Sequence, residues 1–437
     1  MLFEFITTST MLGVLGASYY FKTNHSDDGE KILKIAENCG LRTKEEKIRL
    51  YRRNRNKEQH FTEYVFKIPL GLELEDFQNK RGKFKDGLNN RSERKIILKD
   101  FKKLKIDRSL PKQIESLLYN RISLSKEIEM EYDGMLKIRV YDRGLESRYD
   151  LTEDMITGRK KWHVPIGKGL NKEVVHDFEK APHVLIGGAT DMGKSNILNL
   201  ITCVLLKNHP EDVKFTLIDL KGGLEFGPYE RLKQVEGFAS NAEEAKIALE
   251  SIQSKMGKTF EFLRMNGFKD VKRAGIKERH FVIIDEAAEL ASDGETDKEV
   301  KTLKIECENI IKDIARRGRA SGIRLLYCTQ YPTTETVSSQ VKRNLIARIC
   351  FPVDTATASG VVLDEGGAEK IPLIQGRAIY KRNRKTELQT YYVDESLIES
   401  IIKPHINIRS RGEKKNAPHQ HDKAEAGRSY ITKFEEA

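Results

Sequence analysis

The stretch HVLIGGATDMGKSNILNLITCVLL, residues 183–206, decides the fold. Val184, Leu185 and Ile186 form a short apolar run that reads as a buried strand. Ile197, Leu200, Ile201, Val204 and Leu205 recur at helical spacing. Between them lies G-x-x-x-x-G-K-S, in the strand–turn–helix context that a phosphate-binding loop needs. The backbone N–H groups of Gly188, Ala189, Thr190, Asp191, Met192 and Gly193 can close around phosphate oxygens, aided by the positive end of the following helix. Lys194 then reaches the outer phosphates and the Ser195 hydroxyl ligates Mg²⁺. Asp191 brings negative charge toward a polyphosphate, so it is expected to point outward.

Further along, FVIIDE (281–286) supplies the second half of a nucleoside-triphosphate site. An apolar strand delivers carboxylates at its carboxyl end, where α/β sheets bind ligands. Asp285 is expected in the Mg²⁺ shell, and Glu286 is expected to polarise the attacking water. The run LLYCTQ (325–330) reads as the neighbouring strand, ending in Gln330, placed to sense the γ-phosphate or the water. Other apolar runs are FTLID (215–219), LIARICF (345–351) and the pair RAIYK and LQTYYV near 377–393. Short apolar strands alternating with amphipathic helices predict an α/β fold. Its expected form is a RecA-like P-loop core, a mostly parallel sheet with helices on both faces. The implied cofactors are ATP and Mg²⁺.

Outward from this core the chain divides into unlike parts. Residues 1–22 carry a single acid, Glu4, and span ~30 Å if helical, enough to cross a bilayer. The lysines and arginines beyond place the bulk of the chain in the cytoplasm by the positive-inside rule, giving a single-pass membrane anchor. Residues 23–60 read as a basic juxtamembrane segment, suited to anionic lipid or to a solvated helix face. Residues 61–150 read as a small α+β domain, with strands at TEYVFKIPLG and MLKIRVYD and helical spacing of Leu74, Phe77, Phe84 and Leu88. The motor spans 151–400, and the charged, aperiodic residues 401–437 are expected to be disordered.

Lysine and arginine number 77 against 66 acids, a net charge of +11 that favours a polyanionic partner over small-metabolite chemistry. The cysteines Cys39, Cys203, Cys307, Cys328 and Cys350 are scattered without metal spacing and read as free thiols in a reducing compartment.

The segments WHVPIGKGL (162–170), KAPHVLIGGATDMGKS (180–195) and LIDLKGGLEF (217–226) resemble the FtsK/SpoIIIE family of DNA-translocating ATPases. So do FVIIDEAAEL (281–290), ARRGRASGIRLLYCTQYP (315–332), LIARICFPVD (345–354) and LDEGGAEKI (363–371). The matches keep the family's order over roughly half the chain. The resemblance implies a hexameric ring of motors that pumps double-stranded DNA with ATP. It implies an arginine finger acting on a neighbour's γ-phosphate, for which Arg348 is the first candidate and Arg319 the second. Lys342, Arg343 and Lys370 are candidate contacts to the DNA backbone.

The chain departs from the family at Asp191-Met192 and at the turn Ile374-Gln375-Gly376-Arg377. A sequence-reading winged-helix module is not expected after the motor segment. This trimmed plan resembles the conjugative-transfer branch, the coupling ATPases of Gram-positive plasmids and integrative elements, whose partners include a relaxase and other transfer proteins. A type VII-like protein-secretion ATPase, a chromosome or phage DNA segregation motor and a scaffold with a decayed motor are the alternatives.

Overall fold

The computed structural model describes residues 28–89, 126–159, 161–330 and 332–406. The expected membrane segment 1–22 and residues 407–437 of the expected tail lie outside the described residues. Among the described residues no helix is long and apolar enough to cross a membrane.

The amino-terminal unit is built on a four-stranded antiparallel sheet. Helix α1 (Asp28–Asn38) precedes strands β1 (Arg49–Asn56) and β2 (Phe61–Lys67). Short helices α2 (Leu74–Gln78) and α3 (Arg81–Asn89) come next, then β3 (Glu127–Tyr132) and β4 (Leu136–Tyr141), in sheet order β1-β2-β4-β3. Phe66, Ile128 and Ile138 from the sheet pack on Ile32, Phe77, Phe84 and Leu88 from the helices. The boundary expected at residue 60 therefore falls inside a hairpin, because β1 pairs with β2 from Arg49↔Lys67 to Asn56↔Phe61. The arginines that looked like a juxtamembrane segment line an exposed edge strand, where charge discourages pairing with another chain.

The larger unit opens with β5 (Tyr149–Asp150), α4 (Glu153–Ile156) and the hairpin β6 (His163–Gly169) and β7 (Glu173–Asp177). Then come β8 (Val184–Gly187), α5 (Lys194–Asn208), β9 (Val213–Ile218), β10 (Val235–Ala239), α6 (Ala242–Met265) and β11 (Arg279–Ile284). The chain continues through α7 (Lys298–Ser321), β12 (Ile323–Thr329), α8 (Ser339–Asn344), β13 (Ala347–Cys350) and α9 (Ala356–Leu363). It closes with β14 (Arg377–Lys381), β15 (Lys385–Tyr392) and α10 (Glu395–Ile402).

The strand order is β10-β9-β11-β12-β8-β13-β14-β15-β6-β7. It is parallel from β10 to β13 and antiparallel from β13 onward, so the sheet is mixed. Both faces are covered. Phe281 and Ile283 of β11 point toward Ile197, Ile201 and Val204 of α5. Val282 and Ile284 point the other way, toward Leu249 and Ile252 of α6 and Ile311 and Ile314 of α7. Period-2 alternation with apolar residues on both faces is why these strands read as continuous hydrophobic runs. The ends of α6 and α7 are set locally. Asn241 caps α6 by accepting from Glu244 N, and Asp297 caps α7 by accepting from Glu299 N and Val300 N. Order extends past the expected limit at residue 400: Ile401 and Ile402 are buried and Ile406 bridges Leu232.

Candidate functional site

Strand β8 ends at Gly187, and the loop 188–193 turns the chain into α5. Gly188 holds φ +152°, and a Cβ there would lie 2.5 Å from that of Phe351, so no larger residue fits. The loop is braced from two sides: Ala189 N donates to Pro352 O (3.0 Å) and Gly376 N donates to Met192 O (2.9 Å). Asp191 is exposed and left-handed at φ +59°. Lys194 is 5% exposed, and its ammonium donates to Gly188 O (2.7 Å) and Ala189 O (2.6 Å). Burial holds this ammonium below the ordinary lysine range. Ser195 follows on the first turn of α5, half-buried.

The adjacent parallel strands bring the other groups to the same edge. Asp285 follows β11, anchored by its N–H to Ile218 O (2.9 Å), and Glu286 is 3% exposed. Gln330 N donates to the Glu286 carboxylate at 3.0 and 3.3 Å, while Thr190 Oγ1 donates to Gln330 Oε1 at 3.1 Å. Gln330 therefore joins the carboxylate to the phosphate loop. Lys194, Ser195, Asp285, Glu286 and Gln330 are brought together, as the spacing predicts.

The loop after β9 completes the site, and its roles were not assigned from the sequence. Asp219 is 1% exposed and accepts from Lys221 N (3.2 Å), Glu225 N (2.8 Å) and Phe226 N (3.3 Å), folding the loop on itself. Lys221 Nζ lies 3.4 Å from Glu286 Oε2, and Glu225 accepts from Asn199 Nδ2 (2.7 Å). The signal was present in LIDLKGGLEF: a carboxylate at a strand's carboxyl end, followed by glycines.

Burial first, then Asp219 and Glu225, push the Asp285 carboxyl up to about 6. Asp219, Glu225, Asp285 and Glu286 outnumber Lys194 and Lys221 here, a surplus of negative charge that a divalent cation would balance. Among the described residues no cluster of three His, Cys, Asp or Glu side chains forms a self-contained metal site. Mg²⁺ takes a carboxylate or two and completes its shell with waters and substrate phosphates. Asp285 and Ser195 are the residues that would hold it.

Both arginine candidates lie away from this cluster. Arg348 is 8% exposed and is committed within its own chain. It pairs with Asp364 and donates to Leu345 O (3.2 Å) and Lys342 O (3.4 Å). In this structure the guanidinium is therefore held in an ion pair within its own chain. Lys342 is held in the same way, its ammonium pairing with Asp364 (2.7 Å) and donating to Gly360 O (2.9 Å). Arg343 and Lys370 are exposed. Arg319 is exposed at the end of α7, on the opposite edge of the sheet from the phosphate loop.

Residues 152–281 match the FtsK/SpoIIIE family model, so the chain carries an FtsK/SpoIIIE domain and the resemblance drawn from its motifs holds. It is 28% identical over 260 residues to the DNA translocase FtsK of Streptococcus pneumoniae, covering 55% of this chain and 32% of that protein. With FtsK of Lactococcus lactis subsp. lactis the identity is 28% over 264 residues, covering 56% and 33%. The chain thus spans about a third of the length of the curated relatives it matches. Among solved structures, the pCW3 conjugation coupling protein TcpA in its monomer form with ATPγS superposes with a TM-score of 0.57 at 22% identity. That match covers 86% of this chain and 99% of that one. The cytoplasmic domain of the Thermomonospora curvata type VII secretion ATPase EccC gives 0.50 at 23% identity, over 62% of this chain and 34% of that one. These two similarities concern the fold.

Proposed function

We propose that this chain is an ATP-driven DNA translocase, the membrane-anchored coupling ATPase of a conjugative transfer system, working as a ring of identical subunits. One observation carries the ATPase reading. Glu286 is held by Gln330 at a strand end beside Asp285 and Lys194, while Gln330 also touches Thr190 of the phosphate loop. In this reading Lys194 exchanges its carbonyl partners for phosphate oxygens. Glu286 orients the attacking water and draws its proton, and Gln330 relays the state of the site to the loop. Bound Mg²⁺ supplies charge neutralisation at the phosphates.

The DNA part rests on the FtsK domain, on relatives named DNA translocases and on the surplus of basic residues. The conjugative part rests on the likeness to TcpA, which extends over both units of the chain. The anchor rests on residues 1–21 alone. A protein-export motor is the competing reading, since an export ATPase shares the fold.

The test is ATP turnover with added duplex DNA or with a candidate secreted protein. Duplex DNA should stimulate turnover. Lys194→Ala should abolish both nucleotide binding and turnover, whereas Glu286→Gln should bind ATP and fail to hydrolyse it. Undiminished turnover in Lys194→Ala would refute the site, and stimulation by the secreted protein but not by DNA would refute the substrate.

A further inference from the structure

Strands β8, β9, β11 and β12 end at the nucleotide site, so their amino ends meet on the opposite edge of the sheet. That edge lies ~20 Å away by the rise of the six-residue β11. Two adjoining clefts open there, of about 700 and 530 Å³, and Arg319 walls both of them. Lys161, Lys180, Lys272, Lys277 and Arg382 line the larger cleft. Lys269 and Arg316 extend the charge around the smaller one. These cations arrive from separate segments. Lys161 precedes β6, Lys272 and Lys277 sit between α6 and β11, and Arg382 lies in the β14–β15 turn.

The acids of the larger cleft do little to offset them. Glu179 is taken by Arg279 and Arg324, each at 2.8 Å, and Asp177 by His163 (3.2 Å) and Lys180 (3.6 Å). Only Asp212 remains among the lining carboxylates. Lys161, Lys269, Lys272, Lys277, Arg319 and Arg382 have no ion-pair partner among the described residues. Like charges around a concave wall focus a positive potential into the cleft.

Shape selects among polyanions. Two clefts joined at Arg319 form a track, which suits a chain of regularly spaced phosphates better than one small anion. A lipid surface calls for protruding apolar side chains. Trp162 of the larger cleft is 7% exposed and stacked on His209 at 4.1 Å, and Phe260 of the smaller cleft is half-buried with the Arg317 guanidinium over its ring at 5.3 Å. Ammonium and guanidinium groups dominate the lining, which reads backbone charge rather than base edges.

We propose that this edge is a nucleic-acid backbone track, remote from the nucleotide site, that grips DNA without regard to sequence. The proposal rests on the reading that this chain handles DNA. Its test uses the full chain and a variant carrying Lys161→Gln, Lys272→Gln and Lys277→Gln, titrated with duplex DNA at several salt concentrations. Each phosphate contact contributes about 0.9 to the slope of log K against log salt, or about fivefold in affinity at ~0.15 M salt. The variant should therefore bind on the order of 10²-fold more weakly, with a slope shallower by about 2.7. Its ATP turnover without DNA should match the unsubstituted chain, and the same positions changed to arginine should restore binding. Equal affinity and slope in the glutamine variant would overturn the track while leaving the translocase reading intact. Unchanged DNA binding with lost binding to phosphatidylglycerol vesicles would overturn it in favour of a membrane contact. Failure of the unsubstituted chain to bind DNA at all would overturn both readings.

Discussion

Mild acid should destabilise the larger unit, and the responsible groups are identifiable. His176, His183 and His280 are 1–2% exposed and sit on or beside β7, β8 and β11. Burial first of all pulls them down, His176 to about 4 and His183 and His280 to about 3. Their partners suit neutral rings. His183 Nδ1 accepts from Leu325 N (3.0 Å) while its buried Nε2 has no partner among the described residues, and His280 Nδ1 faces the Lys255 ammonium at 3.1 Å. The folded values lie below the unfolded one, near 6.5, so the unfolded chain binds more protons between about pH 4 and 6.5. Stability is accordingly full above that window and falls as the pH drops through it. At pH ~5.5 each ring costs about 1.4 kcal/mol, or about 4 kcal/mol together. Asp285, raised to about 6, works in the opposite direction and offsets about 1 kcal/mol of this. The net loss of about 3 kcal/mol corresponds to a urea midpoint lowered by about 1 M for a unit of this size. The assay is built into the molecule. Trp162 is the chain's single tryptophan, buried between His209 and Phe281, so its fluorescence reports the larger unit alone. A urea midpoint unchanged between pH ~7.5 and ~5.5 would refute the reasoning. His280→Gln should remove about 1.4 kcal/mol, nearly half of the net pH dependence.

Glu179→Gln should cost about 3 kcal/mol or more, read as a lowered urea midpoint. It leaves Arg279 and Arg324, 4% and 2% exposed, without their shared carboxylate, and a variant as stable as the parent would show that the pair is already solvated. Arg348→Ala should cost about 2 kcal/mol, a buried-pair loss discounted because the Asp364 side chain is 51% exposed. Mixed with Lys194→Ala subunits it should behave as an ordinary destabilised partner. Mutual rescue of ATP turnover in such mixtures would restore Arg348 as a finger acting between subunits.

The phosphate loop was legible because its chemistry demands particular residues in one contiguous run: glycines where the backbone must close, then a cation and a hydroxyl. The inner parallel strands were legible because burial on both faces leaves mostly apolar residues, as in the FVII of β11 and the LLYC of β12. The hairpin β6–β7 escaped notice because Pro165 and Gly167 sit at an irregularity in its register, and glycine and proline read as loop. Strand β1, RLYRRNRN, is exposed along nearly its whole length, so no alternation marks it. The pairing of Arg348 was hidden for a different reason. A motif records which residue types occur, but Asp364 reaches that guanidinium only because α9 folds back from β13. Whether a charge is spent or free is a property of the neighbours that tertiary packing brings in. The same accounting separates the cations of this chain. Lys342 and Arg348 are neutralised by one aspartate, whereas Lys272, Lys277 and Arg319 face a cleft with few carboxylates to spare. A net charge of +11 favours a polyanionic partner; only the pairing of each charge separates the cations free to meet one from those already spent.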